Sequence, residues 1–261
     1  MLDYANIYVS EIQKNGGVMP HFFISTSNIE NSVITINDNE NYRHIARALR
    51  ARVGEELLII DEKQIQYETK ITEITSKDIK CKIEKSYPSK RDLKFDLYLA
   101  QSPLRSDAQL TVMEKSTELG VRGVYPVITD NCSLSFETAQ KKQEKWQKVM
   151  FEASKQCERA KIPTCYEPLV LSELFKQKFD RIIVFGERST EINLKTYLNN
   201  NPIKNNEKML VIIGPEGGFS QKEFELFKKL NFPIITLGDL ILKAETAVIV
   251  ALGDIIYEYQ G

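Results

Sequence analysis

The sequence has four cysteines and two histidines in 261 residues, and that scarcity removes whole classes of site. Cys81, Cys132, Cys157 and Cys165 form no C-x-x-C pair, and His21 and His44 lie far from three of them. Neither a zinc site nor a disulfide framework is expected, and no metal ligands are assigned. The formal net charge is only -1, so the chain has no global field for a polyanion, and any nucleic-acid surface must be a local basic patch. No apolar run is long enough to cross a bilayer, and residues 1–18 do not resemble a targeting segment. Reduced thiols and these absences lead to the expectation of a cytoplasmic protein with no membrane partner. There are no internal repeats, and the Asn-rich stretch 199–206 reads as a solvated connection.

What is present is an ordinary globular composition, with room for one large domain or two unequal ones. From about Phe22 to Tyr87 the pattern is short β-runs, at 22–25, 33–36, 57–60, 65–74 and 79–85, interrupted by one helical segment near 40–50. Turn-like clusters separate the runs, which predicts a small barrel or sandwich. Pro88 with its polar neighbours through Asp92 marks a domain boundary. Beyond it, strands at 95–100, 124–128, 181–185, 209–213 and 233–237 alternate with helices at 107–119 and 139–159 and a final one after Lys243. That alternation is the pattern of an α/β domain on a largely parallel sheet. Residues 1–18 read as an extension, since Met19-Pro20-His21-Phe22-Phe23 resembles a natural start followed by a strand.

Two strand-to-helix connections carry the chemistry. Val211-Ile212-Ile213 runs into Gly214-Pro215-Glu216-Gly217-Gly218, and Ser220 with Glu223 then forms a capping box. Glycines let the backbone approach a ligand closely, and open α/β sheets bind ligands at the carboxyl ends of strands. The same glycines also suit a bare tight turn. The segment is neither a G-x-G-x-x-G fingerprint nor a P-loop, which disfavours an ordinary dinucleotide or triphosphate site. The second connection, Leu237 to Ala247, holds the apolar run Leu240-Ile241-Leu242, which is odd for a loop in water. Something must cover it: either the core, or an adenosyl group cradled by it.

Taken together, the two loops resemble those of the SPOUT methyltransferases, specifically the RsmE family, which methylates N3 of a uridine in 16S ribosomal RNA. The resemblance runs from Met19 almost to the end and includes His44 to Arg50 before Gly54, Met113 to Val121 and Glu152 to Arg159. Glu158 stands where that family usually has glycine, Leu240 where arginine is common, and Lys243 where arginine is usual.

The resemblance implies a PUA-like RNA-binding β-barrel over 19–88 and a SPOUT α/β domain over 92–261 with a deep trefoil knot. It further implies a homodimer acting on 16S ribosomal RNA within the small ribosomal subunit. Its cofactor is S-adenosyl-L-methionine, held by Phe185, Gly186, Ile213, Gly214, Pro215, Gly217, Gly218, Leu237, Gly238, Ile241 and Leu242.

Independently, Arg43, Arg47 and Arg50 share one face of a regular helix, while Ile45, Ala48 and Leu49 point toward a core. With His44 and Arg52 they form a candidate RNA surface, because guanidinium binds phosphate oxygens bidentately; a merely solvated basic face is the alternative. Candidates for a base or an electrostatic stabiliser near the two loops are Glu216, Glu245 and Arg159. Each also has a plainer use: Glu216 in its turn, Glu245 as a helix cap, and Arg159 at the negative end of a helix dipole. The competing functions are another SPOUT methylation, of ribose or a different base, and a non-catalytic RNA binder. A pure binder would have no need of two intact ligand loops.

Overall fold

Alternating apolar residues build the first sheet in the computed structural model, which describes residues 21–89, 92–186 and 192–260. The leading 1–18 segment lies outside these. The chain parts into two compact units between residues 91 and 92. In the first, strands β1 (His21–Ile24), β2 (Ile29–Glu30), β3 (Val33–Ile36), β4 (Glu56–Asp61), β5 (Ile65–Ile74) and β6 (Ile79–Pro88) form one sheet in the order β1-β4-β5-β6-β3-β2. All pairings are antiparallel except β1 with β4. Register shifts between β5 and β6 curve the sheet into a half-barrel around Phe22, Ile34, Ile36, Ile59, Ile71 and Ile79.

The helical segment of this unit departs from expectation. A single α-turn, α1 (Asn39–Tyr42), capped by Asp38, passes into a wider helix over Arg43–Ala48. There Leu49 N–H reaches back five residues to His44 O at 2.9 Å. Ile45 is fully buried and Leu49 packs on the core, but Ala48 is exposed. Arg50 stands beyond the helix in the left-handed region, at φ 54°. The regular stripe of three arginines is therefore not reproduced, although Arg43, His44, Arg47, Arg50 and Arg52 are all exposed.

The second unit is a parallel sheet between helices. Its elements are β7 (Asp96–Gln101), α2 (Ser106–Glu118), β8 (Gly123–Ile128), α3 (Phe136–Gln156), β9 (Thr164–Cys165), β10 (Leu169–Val170), α4 (Leu171–Leu174) and β11 (Arg181–Phe185). There follow α5 (Leu194–Asn200), β12 (Lys208–Ile213), α6 (Gln221–Lys229), β13 (Ile234–Ile235) and α7 (Ala244–Gln260). The strand order is β10-β8-β7-β12-β11-β13, with β9 also on β8, and every pairing is parallel.

Strands covered on both faces need continuous apolar runs, and Met209 to Ile213 is one. Leu97, Leu99, Ile183, Met209 and Val211 face α2, α3, α5 and α7, where Trp146, Met150, Val248 and Leu252 complete the core. The opposite face packs Ala100, Val127, Val184, Leu210 and Ile212 on Phe219 and Phe227. The apolar stripe of α7, Ala244, Val248, Ala251, Leu252 and Ile255, is buried within the chain.

Candidate active site

The carboxyl ends of β11, β12 and β13 open into a cavity of about 1050 Å³. Its wall contains every residue expected to hold the cofactor: Phe185 and Gly186 after β11, Ile213 to Gly218 after β12, and Leu237 to Leu242 after β13. Glu216 and Glu245 line it as well, together with Asp239 and Lys243.

Glycine is required at several of these points for identifiable reasons. A Cβ on Gly186 would come within 2.9 Å of Ile234 Cγ2 and 3.0 Å of Phe224, and one on Gly217 within 3.3 Å of Asn131 Cβ. Gly218 and Gly238 have φ of 68° and 125°, which side-chain-bearing residues adopt only at a cost.

The turn after β12 is held from two sides. Gly218 N–H donates to Pro215 O at 2.9 Å. Across the sheet, Asn131 Nδ2 donates to Gly218 O at 3.1 Å and to Gly217 O at 3.3 Å. Ser220 Oγ donates to Asp130 Oδ2 at 2.6 Å. The capping box of α6 is present: Ser220 N–H donates to Glu223 Oε2 at 2.8 Å, and Glu223 N–H to Ser220 Oγ at 3.3 Å. Glu223 also accepts from Asp130 N–H at 3.0 Å. The loop after β8 therefore braces the glycine turn, a role that nothing in the spacing of Asp130 and Asn131 announced.

The second loop is not buried in the core. Leu240 is 81% exposed and Ile241 55%, while Leu237 and Leu242 are half-buried. Apolar side chains left uncovered on a cavity wall are the arrangement expected where a ligand or partner supplies the cover.

Arg159 is a correction. It does not line the cavity, and α3 ends at Gln156 rather than at Arg159. Glu158 turns the chain with φ 56°, a conformation open to the glycine usual in the resembling family. The Arg159 guanidinium is buried and caps the end of α2: Nη1 donates to Val121 O at 2.8 Å and Thr117 O at 3.0 Å, and Nη2 to Gly120 O at 3.2 Å. Nη2 also pairs with Asp92 Oδ1 at 3.2 Å, and Asp92 in turn pairs with Arg122. Burial pulls the Arg159 pKa below its usual value, against the opposing pull of Asp92. The dipole it complements belongs to α2, not to the helix that precedes it.

Arg105 lines the cavity and was absent from the expected site. It follows β7 just as the glycine turn follows β12, and the strand-end rule applied to that strand points to it. Among the described residues, no group of three or more His, Cys, Asp or Glu side chains is placed to hold a metal ion. No helix among them is long and apolar enough to cross a membrane.

Residues 91–256 match the RNA methyltransferase domain family, and residues 36–84 match the RNA methyltransferase PUA domain family. The ribosomal RNA small subunit methyltransferase E of Aquifex aeolicus is 31% identical over 210 residues, covering 78% of this chain and 86% of that protein. The protein of the same name from Bacillus subtilis is 25% identical over 251 residues, covering 93% and 98%. A structure of a candidate methyltransferase from Legionella pneumophila, in complex with the bound cofactor SAM, superposes with a TM-score of 0.79 at 25% identity, covering 92% of this chain and 98% of that one. The chain thus belongs to the ribosomal RNA small subunit methyltransferase E family, with a PUA domain followed in sequence by an RNA methyltransferase domain.

Proposed function

We propose that this enzyme transfers the methyl group of S-adenosyl-L-methionine to N3 of a uridine in 16S ribosomal RNA, within the small ribosomal subunit. The observation that carries the reading is the glycine-walled, partly apolar cavity at the ends of β11, β12 and β13. The residues fit the cofactor. Leu237, Ile241 and Leu242 offer uncovered apolar surface to an adenine ring, and Gly217 and Gly218 bring main chain to the cavity wall where a Cβ would crowd Asn131 or strain the backbone. When bound, the cofactor supplies an electrophilic methyl group on its sulfonium. The protein's task is then to orient N3 toward that methyl and to exclude water, which proximity and orientation can turn into most of the rate. In this reading Glu216 and Glu245, which line the cavity, receive the proton or position the base.

Arg43, His44, Arg47, Arg50 and Arg52 supply the RNA-phosphate contacts of the PUA domain in this reading, since all are exposed and the four arginines carry no ion pair among the described residues. The reading includes a homodimer, favoured by the uncovered Leu240 and Ile241. It also includes the deep trefoil knot that the resemblance to the SPOUT methyltransferases implies.

Thermal melting tests the cofactor half of the reading. At about 100 times its dissociation constant the cofactor should stabilise the protein by ~2.7 kcal/mol, and Gly217→Val, whose side chain meets Asn131, should abolish that shift. An unchanged melting temperature in saturating cofactor, or an undiminished shift in the variant, contradicts it.

A further inference from the structure

We propose that Arg105 contacts the target base and holds the negative charge that uridine develops as its N3 proton leaves, an inference that rests on the uridine-N3 reading above. Arg105 reaches the cavity from the connection between β7 and α2. In the sheet order β7 lies on the opposite side of β12 from β11 and β13. The glycines and apolar side chains that suit the cofactor come from the β12, β11 and β13 loops, so Arg105 enters from the flank that this cradle leaves for a second substrate.

Its main chain is fixed while its side chain is free. The Arg105 N–H donates to Glu216 Oε1 at 3.2 Å, tying it to the glycine turn. One residue earlier, the buried Leu104 N–H donates to Gln109 Oε1 at 2.7 Å. One residue later, Ser106 is held at φ 44°, a conformation that a residue with a side chain occupies only when its surroundings impose it. Yet the guanidinium is exposed and has no hydrogen bond or ion pair among the described residues, whereas Arg122, Arg159 and Arg181 are all engaged. A cation aimed by a rigid main chain and left unpaired in a ligand cavity is a pre-organised electrostatic stabiliser.

The other charged groups on this cavity are Glu216, Asp239, Glu245 and Lys243. The carboxylates cannot hold an anion. Lys243 stands on the cradle loop and is a point charge, whereas the guanidinium fork can donate two parallel hydrogen bonds. In the reaction the N3–H bond breaks and the proton passes by way of a cavity carboxylate, Glu216 or Glu245, to solvent. The N3 lone pair forms the N–CH₃ bond as the carbon–sulfur bond of the cofactor breaks, its electron pair remaining on sulfur. Charge in the deprotonated base spreads onto O2 and O4, and donors to one of those oxygens leave N3 open to the methyl group.

The test is the pH dependence of single-turnover methylation of small ribosomal subunits, read alongside cofactor calorimetry and thermal melting. An adjacent cation lowers an acid's pKa by about 1–3 units, with the smaller value fitting an exposed group. Arg105→Met should therefore move the rising limb up by about one pH unit and slow the reaction roughly tenfold below it. Arg105→Lys should recover part of the shift, and both variants should keep the wild-type melting temperature and cofactor affinity. If the methionine variant does not fold, Arg105→Gln replaces it with the same expectation.

Four results overturn the inference: an unmoved limb; a limb moved instead by Lys243→Met; a loss of cofactor affinity, which reassigns Arg105 to the cofactor carboxylate; or weaker RNA binding with an unmoved limb, which makes it a phosphate ligand. A wild-type product other than N3-methyluridine sinks this inference and the functional reading together. The correct product with an unmoved limb sinks this inference alone.

Discussion

Arg159→Met separates a structural arginine from a chemical one. The substitution keeps the stem but removes hydrogen bonds to Thr117, Gly120 and Val121 carbonyls and the pairing with Asp92. Three carbonyls at the end of α2 then face a dry pocket, because Arg159 is only 5% exposed. Removing one partner of a buried ion pair costs about 3–5 kcal/mol. The lower part of that range applies because Asp92 keeps Arg122. For a domain of this size each kcal/mol lowers the melting temperature by roughly 2–4 °C, so the expected drop is about 6–16 °C. Urea unfolding should show the same loss, and the folded fraction should bind cofactor with wild-type affinity. A variant that melts like wild type but fails to turn over would refute the structural assignment and return Arg159 to the reaction.

Replacing Arg43, Arg47 and Arg50 together with glutamine should weaken RNA binding and flatten its salt dependence, by about 0.7–0.9 in logarithmic slope for each phosphate no longer neutralised. A folded triple variant with unaltered affinity at several salt concentrations rules this surface out. Asn131→Ala removes two hydrogen bonds from the glycine turn and should weaken cofactor binding by about 1 kcal/mol, roughly fivefold; calorimetry showing full affinity would mean the turn holds itself. Burial pushes the Cys81 thiol up to about 11 and Cys165 to about 12 from an ordinary 9.0, so in the native protein an alkylating reagent at pH 8.5 should modify Cys132 first. Both pKa values are raised on folding, so their contribution to stability is whole below 9.0 and declines as pH rises through 11 and 12. Early labelling of Cys81 in folded protein is the contrary outcome.

Much of the fold was legible because the physics was local. The alternation in 65–74 and the apolar runs at 181–185 and 209–213 coincide with β5, β11 and β12 to within a residue. The two cavity-lining loops stood out in the sequence because glycines and a run of apolar residues are costly in a connection unless they serve something. Strand β13 contracts to two residues, and β9 and β10 are as short, because parallel neighbours rather than their own sequence define them. Periodicity could not reveal that the helix around Arg43 widens, since the five-residue hydrogen bond from Leu49 to His44 leaves no mark in the spacing of apolar residues. The placement of Arg159 depends on carbonyls some forty residues away in α2. Arg105 escaped notice because a lone arginine after a strand carries no pattern of its own.

The most direct measurement is nucleoside analysis of 16S ribosomal RNA from small subunits incubated with the enzyme and methyl-labelled S-adenosyl-L-methionine. The account predicts label recovered as N3-methyluridine, close to one per subunit, and none with Gly217→Val. Label in a ribose 2′-O-methyl group or in another base, or RNA bound without any label transferred, would contradict it.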